Sequence, residues 1–176
     1  MITYRLGPDD GTLSVRTKRT GAAAKAGHNL LIHAMRWAAT IELGAATGVE
    51  IEVDGSSLRV IEGTGGMQAL QDEDKDNIEQ TIEDEVLHGE RIEFRSADVK
   101  PKGAGLAVHG ELTLNGRMRP IAFDVSLTGD GELTAMAVVK QSEWGMKPYT
   151  GLFGALKVVD EVEVAIEAKL PSPQSL

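Results

Sequence analysis

Apolar and polar residues alternate with a period of two along most of this chain. Leu106, Val108, Leu112 and Leu114 share one face, with Ala107, His109, Glu111 and Thr113 on the other. Ile121, Phe123, Val125 and Leu127 repeat the pattern against Ala122, Asp124 and Ser126. It recurs over Leu13–Val15, Trp37–Leu43, Val49–Val53, Ile92–Phe94, Leu133–Val139 and Val162–Ile166. Side chains on a strand point alternately to its two faces, so this pattern predicts strands with one dry and one wet face. Asp54-Gly55 and Asn115-Gly116 lie between alternating runs and predict tight hairpin turns. Gly129-Asp130-Gly131 serves a further reversal. Strands joined by short turns predict an antiparallel meander, closed as a barrel or stacked as a sandwich.

One stretch departs from the alternation. From Asp72 to His88, Ile78, Ile82 and Val86 recur every fourth residue among charges, with no Pro or Gly. That spacing predicts a single amphipathic helix, started by Asp72 or Asp74 as a cap and stopped at Gly89.

Composition narrows the picture. At 176 residues and 41% hydrophobic, the chain suits one domain with a sizeable core. The domain is expected over residues 1–170, with 171–176 as a flexible tail. There is no cysteine, which excludes disulfides, thiolate nucleophiles and cysteine-held metals. No metal or other cofactor is expected. The net charge of -9 and the lack of a basic cluster speak against nucleic acid or an anionic membrane surface as partner. No run approaches the ~18 apolar residues of a membrane span. The first residues, MITYRLGPDDG, carry no secretory pattern, so a cytoplasmic location is the expectation. The oligomeric state stays open, a homodimer included.

The segment Gly110-Glu-Leu-Thr-Leu-Asn-Gly-Arg-Met-Arg-Pro120, with the alternating strand after it, resembles the signature hairpin of the YceI-like family. Ile92–Val99 is similar to the family strand after its helical excursion, and Val158–Ile166 to its closing strand. The order of elements also agrees. The resemblance implies an all-β, antiparallel, lipocalin-like barrel of about eight strands with one helix, from a bacterial family also described as polyisoprenoid-binding. Near the N-terminus, Gly27–His33 stands where relatives are aromatic-rich, and Trp37 is the aromatic nearby.

An eight-stranded barrel can be filled by its own side chains or can hold one small ligand. Inward-facing Trp37, Phe94, Leu112, Phe123 and Ala137 are candidate walls, and small residues such as Ala39, Ala135 and Ala137 would leave room. Trp144, Tyr149 and Phe153 fall in a glycine-interrupted, aromatic-rich stretch. It reads either as a lid over the ligand or as a loop shielding the barrel end. The helix is expected to close the other end. His28 reads as a polar group orienting a lipid headgroup or as a surface histidine. These residues and the resemblance point to a lipid-binding protein holding an isoprenoid or fatty-acid-like chain. The alternative is a non-catalytic structural or interaction module with a filled core. There is no GxSxG, P-loop or dinucleotide fingerprint, and no enzyme activity is expected.

Overall fold

The computed structural model describes residues 1–151, 156–172 and 174–175. The alternating segments form strands. β1 (Ile2–Leu6) and β2 (Gly11–Thr17) precede a two-residue β3 (Arg19–Thr20). Then come β4 (Asn29–Ala34), β5 (Trp37–Leu43), β6 (Gly48–Asp54) and β7 (Leu58–Thr64). Helix α1 (Asp72–Thr81) follows, and after it β8 (Arg91–Lys102), β9 (Gly105–Leu114), β10 (Arg117–Leu127) and β11 (Glu132–Lys140). Short β12 (Thr150–Gly151) and β13 (Leu156–Val158) lead to β14 (Glu161–Lys169) and β15 (Gln174–Ser175). A 12-stranded antiparallel sheet curls into a half-barrel, while β12, β13 and β3 make a separate three-stranded sheet.

Twelve strands exceed the eight expected, and the cause is bending. Four runs are each broken once by a corner: β1 with β2, β4 with β5, β6 with β7, and β14 with β15. The runs remain partners on both sides of the corner. Leu13 pairs with Ala34 above it and Leu6 with Ala39 below it, seven residues on one run against five on the other. Ala34 pairs with Leu58 and Trp37 with Val53, three against five. Ala168 pairs with Gly11 and Gln174 with Thr3, six against eight. Each slip inserts two extra residues on one side, as a bulge does, and bulges bend the strand that carries them. Counted as runs there are eight, and the chain through the corners carries the half-barrel round so that every run has a neighbour on each side. Gln174–Ser175, expected in a free tail, is the continuation of β14 along β1.

Asp54-Gly55 is therefore a corner and not a hairpin. The glycine is needed for close approach, because a Cβ there would collide with the Glu90 carbonyl oxygen. Fully buried Ser57 ties the corner: its hydroxyl accepts from the Arg36 amide at 3.0 Å and donates to the Asp54 carbonyl at 2.7 Å. The Asp54 carboxylate accepts from the Ser56 amide and hydroxyl and pairs with Arg36 at 2.9 Å. The Ser56 hydroxyl, then Arg36, lower its pKa from 3.8 to about 2. Asn115-Gly116 is a true hairpin turn, with φ of 53° and 66°.

The helix is capped by Gln71 rather than by Asp72 or Asp74. The Gln71 side chain caps the first turn, and Asp74 accepts from the Gln71 amide at 2.9 Å. Residues Ile82–Leu87 continue as a wider π-helical turn, ended by His88 in the left-handed region. β8 pairs with β6 but has no register with β7, so the outer edge of β7 would be bare. The helix lies along that edge. Glu79 accepts from the Val60 amide at 2.8 Å, and the Lys75 ammonium donates to the Ile61 carbonyl at 3.3 Å. The helix thus fills an opening in the side of the barrel, not its end.

Below the corners the interior is solid, with Leu6, Ile41, Val49, Val108, Val125 and Leu133 buried against one another. Ala39 is part of that packing. Above the corners it is not.

Candidate functional site

The upper half of the barrel encloses a cavity of about 470 Å³. Its wall draws on all eight runs and on the helix. Leu13, Leu30, Val53, Ile92, Leu114 and Val164 represent six of the runs, and Ile78, Ile82 and Val86 the helix. The alternation that makes the strands therefore also makes the wall: residues two apart on each run face one apolar space. Among the described lining residues none is Asp, Glu, Lys, Arg or His.

Of the residues singled out from sequence, Phe94, Leu112, Phe123, Ala137 and Tyr149 line this cavity together. Phe94 and Phe123 meet there with ring centroids 5.1 Å apart. Among the expected small residues, Ala137 opens onto the space, and Ala135 packs against the core instead.

Three candidates lie elsewhere. Trp37 is buried at the start of β5, on the solid side of the corner. Trp144 is 2% exposed, and its indole N–H donates to the Leu112 carbonyl at 2.9 Å. Its own carbonyl accepts from the Asn115 side chain at 3.0 Å. This clamps the turn Gln141–Trp144 onto the β9–β10 hairpin. The turn has a space to fill, because β10 pairs with β11 only from Asp124 to Leu127. Pro120, without an amide proton, falls in the part of β10 that has no such ladder. His28 holds the Gln68 carbonyl at 2.7 Å and fastens the glycine-rich segment before the helix. Phe153 lies outside the described residues.

The alternation held a further signal that those candidates did not use. Thr17 continues the inward set Leu13 and Val15, and Gln141 continues Ala137 and Val139. Both line the cavity, as do Asn77, Thr81 and Met146. A polar residue at the inward parity was the mark to look for. The two polar ends meet at the upper rim. The Val159 amide donates to the Lys18 carbonyl at 2.8 Å, and the Gln141 amide to the Asp160 carbonyl at 2.9 Å. The Gln141 side-chain amide reaches the Val159 carbonyl at 3.3 Å. The Val158 amide donates to the Tyr149 carbonyl at 3.0 Å. Thr17, Gln141 and Tyr149 thus belong to one rim. The Thr17 hydroxyl is buried and has no hydrogen-bond partner among the described residues.

Comparison with known proteins agrees with this architecture. The crystal structure of Burkholderia cenocepacia BcnA superposes with a TM-score of 0.63 at 16% identity, covering 89% of this chain and 94% of that one. A polyisoprenoid binding domain from Saccharophagus degradans, implicated in plant cell wall breakdown, gives 0.55 at 9% identity over 96% and 98%. The Campylobacter jejuni YCEI protein gives 0.54 at 14% over 80% and 82%. A UPF0312 protein of Serratia proteamaculans (strain 568) is 45% identical over 46 residues, which is 26% of this chain and 24% of that protein. The matched stretch thus spans about a quarter of that relative. The YceI-like domain model matches residues 5–170, and the chain belongs to that family.

Proposed function

We propose that this YceI-like domain is a non-catalytic lipid-binding protein that holds one elongated apolar molecule, isoprenoid or similar, in the upper half of its barrel. The observation that carries this reading is the cavity of about 470 Å³, walled by aliphatic and aromatic side chains from every run. Its size falls within the roughly 300–1,000 Å³ of ordinary ligand sites. At about 30 Å³ per water-sized unit, it has room for on the order of fifteen such units, and a methylene group is of similar bulk. Fifteen buried CH₂ groups would supply ~12 kcal/mol gross. Association costs of about 4–15 kcal/mol are set against that, and at the lower end of those costs about 8 kcal/mol remains, a micromolar affinity without any charged contact. The polyisoprenoid binding domain among the structural neighbours supports the class of ligand. A module with a wholly filled core would have packed the upper half as tightly as the lower.

Native mass spectrometry of protein purified from cells tests the reading. The expected result is an adduct of lipid mass that organic extraction removes. If no adduct is found and apolar chains added afterwards leave a fluorescent apolar probe undisplaced, the carrier reading fails.

A further inference from the structure

We infer that the cavity selects its molecule by length and branching: a methyl-branched chain of about fifteen carbons, or three isoprene units, whose far end rests on Phe123. This rests on the carrier reading and fixes the size of the molecule it takes. The long dimension of the cavity follows from its lining. Inward residues line it over 13–17 on β2, 137–141 at the end of β11 and 162–166 on β14. Four residue steps at about 3.4 Å each make about 14 Å. On the helical side the lining runs from Asn77 to Leu87, which is about 15 Å at ~1.5 Å per residue. An extended carbon chain rises by about 1.2 Å per bond, a third of the ~3.5 Å that one extended residue spans with its three bonds. About twelve carbons in line therefore reach from end to end. The volume holds on the order of fifteen carbon-sized units. About twelve in line with room for about fifteen is the proportion of a chain that carries a methyl group on every fourth carbon.

The lower end of this space is shut. On one run after another the lining stops, and the next inward residue below belongs to the packed core. Val125 lies below Phe123, Val49 below Ile51 and Ala34 below Ile32, all three buried. Phe123 itself keeps accessible surface although it stands at an inward position of β10, and that surface faces the cavity. Its ring leans on Phe94, which is 4% exposed, across Gly110. The two rings make a plate under the cavity. Below the plate Val125 pairs with Ala135, a small residue, so the Phe123 ring is what ends the space on this side.

The other end reaches solvent at Tyr149, which lines the cavity and is 41% exposed. Carbons beyond that mouth stay in water and add nothing, whereas each one drawn inside adds about fourfold before costs. Affinity therefore climbs with chain length until the space between Phe123 and Tyr149 is spanned, and then levels off.

Displacement of a fluorescent apolar probe from the full chain tests this with geraniol, farnesol and geranylgeraniol, which share an alcohol end and differ by one isoprene unit each. Dodecan-1-ol has the same number of carbons in line as farnesol and no branches. Farnesol is expected to displace the probe at a concentration at least about tenfold lower than geraniol or dodecan-1-ol, and geranylgeraniol to gain no more than about threefold over farnesol. In Phe123→Ala the levelling moves outward, and geranylgeraniol gains at least about tenfold over farnesol. Phe123→Leu, the milder truncation, carries the same test should Phe123→Ala not fold. A tenfold gain from farnesol to geranylgeraniol in the parent chain overturns the length limit and leaves the carrier reading standing. Dodecan-1-ol that matches farnesol overturns the preference for a branched chain. Levelling at farnesol that persists in the folded variants overturns the assignment to Phe123. If none of the alcohols displaces the probe, it is the carrier reading that fails.

Discussion

Phe94 and Phe123 touch across an intervening strand, with ring centroids 5.1 Å apart and planes at 58°. They stand on β8 and β10, and β9 runs between them. The contact exists because Gly110, at an inward position of β9, has no side chain. A Cβ there would stand 2.6 Å from the tip of the Phe94 ring and would also collide with the Arg95 carbonyl oxygen. The first residue of the signature hairpin is thus the gap that lets one wall of the cavity close.

Gly110→Ala is expected to destabilise the domain by about 1–3 kcal/mol, as overpacking of a tight interior does. Urea unfolding measures it. An unchanged midpoint would show that the β9 backbone has room that the Phe94 position denies it.

Ala137→Trp places an indole in the cavity, where Ala137 faces the open space. Retained stability with at least about a tenfold loss of apolar-probe affinity is the expected outcome. Uptake that survives in a folded Ala137→Trp protein would place the ligand elsewhere.

Trp144 predicts a stability effect instead of a binding effect. Trp144→Phe removes the donor to the Leu112 carbonyl and should cost about 1–3 kcal/mol. Trp144→Ala should cost about 3–5 kcal/mol by opening a void. Thermal unfolding alongside probe titration separates the two roles, and a loss of affinity at unchanged stability would make Trp144 a ligand contact.

The corner gives a pH dependence. Asp54 has a folded pKa of about 2 against 3.8 for the free group. Its contribution is present above pH 3.8 and is lost as the pH falls towards 2, because the unfolded chain binds the proton first. The fall in Tm between pH 4 and 2 should therefore be shallower in Asp54→Asn than in the parent. Parallel Tm profiles would remove Asp54 from the account. Ser57→Ala, which strips the Arg36 amide of its buried acceptor, should cost about 1–3 kcal/mol at any pH in that range.

Sequence alone determined strands β2, β5, β6, β8 to β11 and β14, the hairpin at Asn115-Gly116, the helix over its actual span, and the inward set that includes Phe94, Leu112, Phe123 and Ala137, whereas β1, β4 and β7 were not among the alternating runs. These follow from local rules: a two-residue side-chain period, a four-residue recurrence and turn residues with positive φ. Tertiary structure decided what local rules cannot carry. It made Asp54-Gly55 a corner, because the chain continues in the same run and the glycine is required by Glu90, far along the sequence. It set Trp144 between β10 and β11 instead of in the cavity, because the partial ladder there leaves a space of that shape. It took His28 out of the site, since its partner is the Gln68 carbonyl. It also divided one uniform inward pattern into a solid lower half and an open upper half. Alternation records which way a side chain points, but whether opposing side chains meet depends on how far apart the bent runs and the helix hold them.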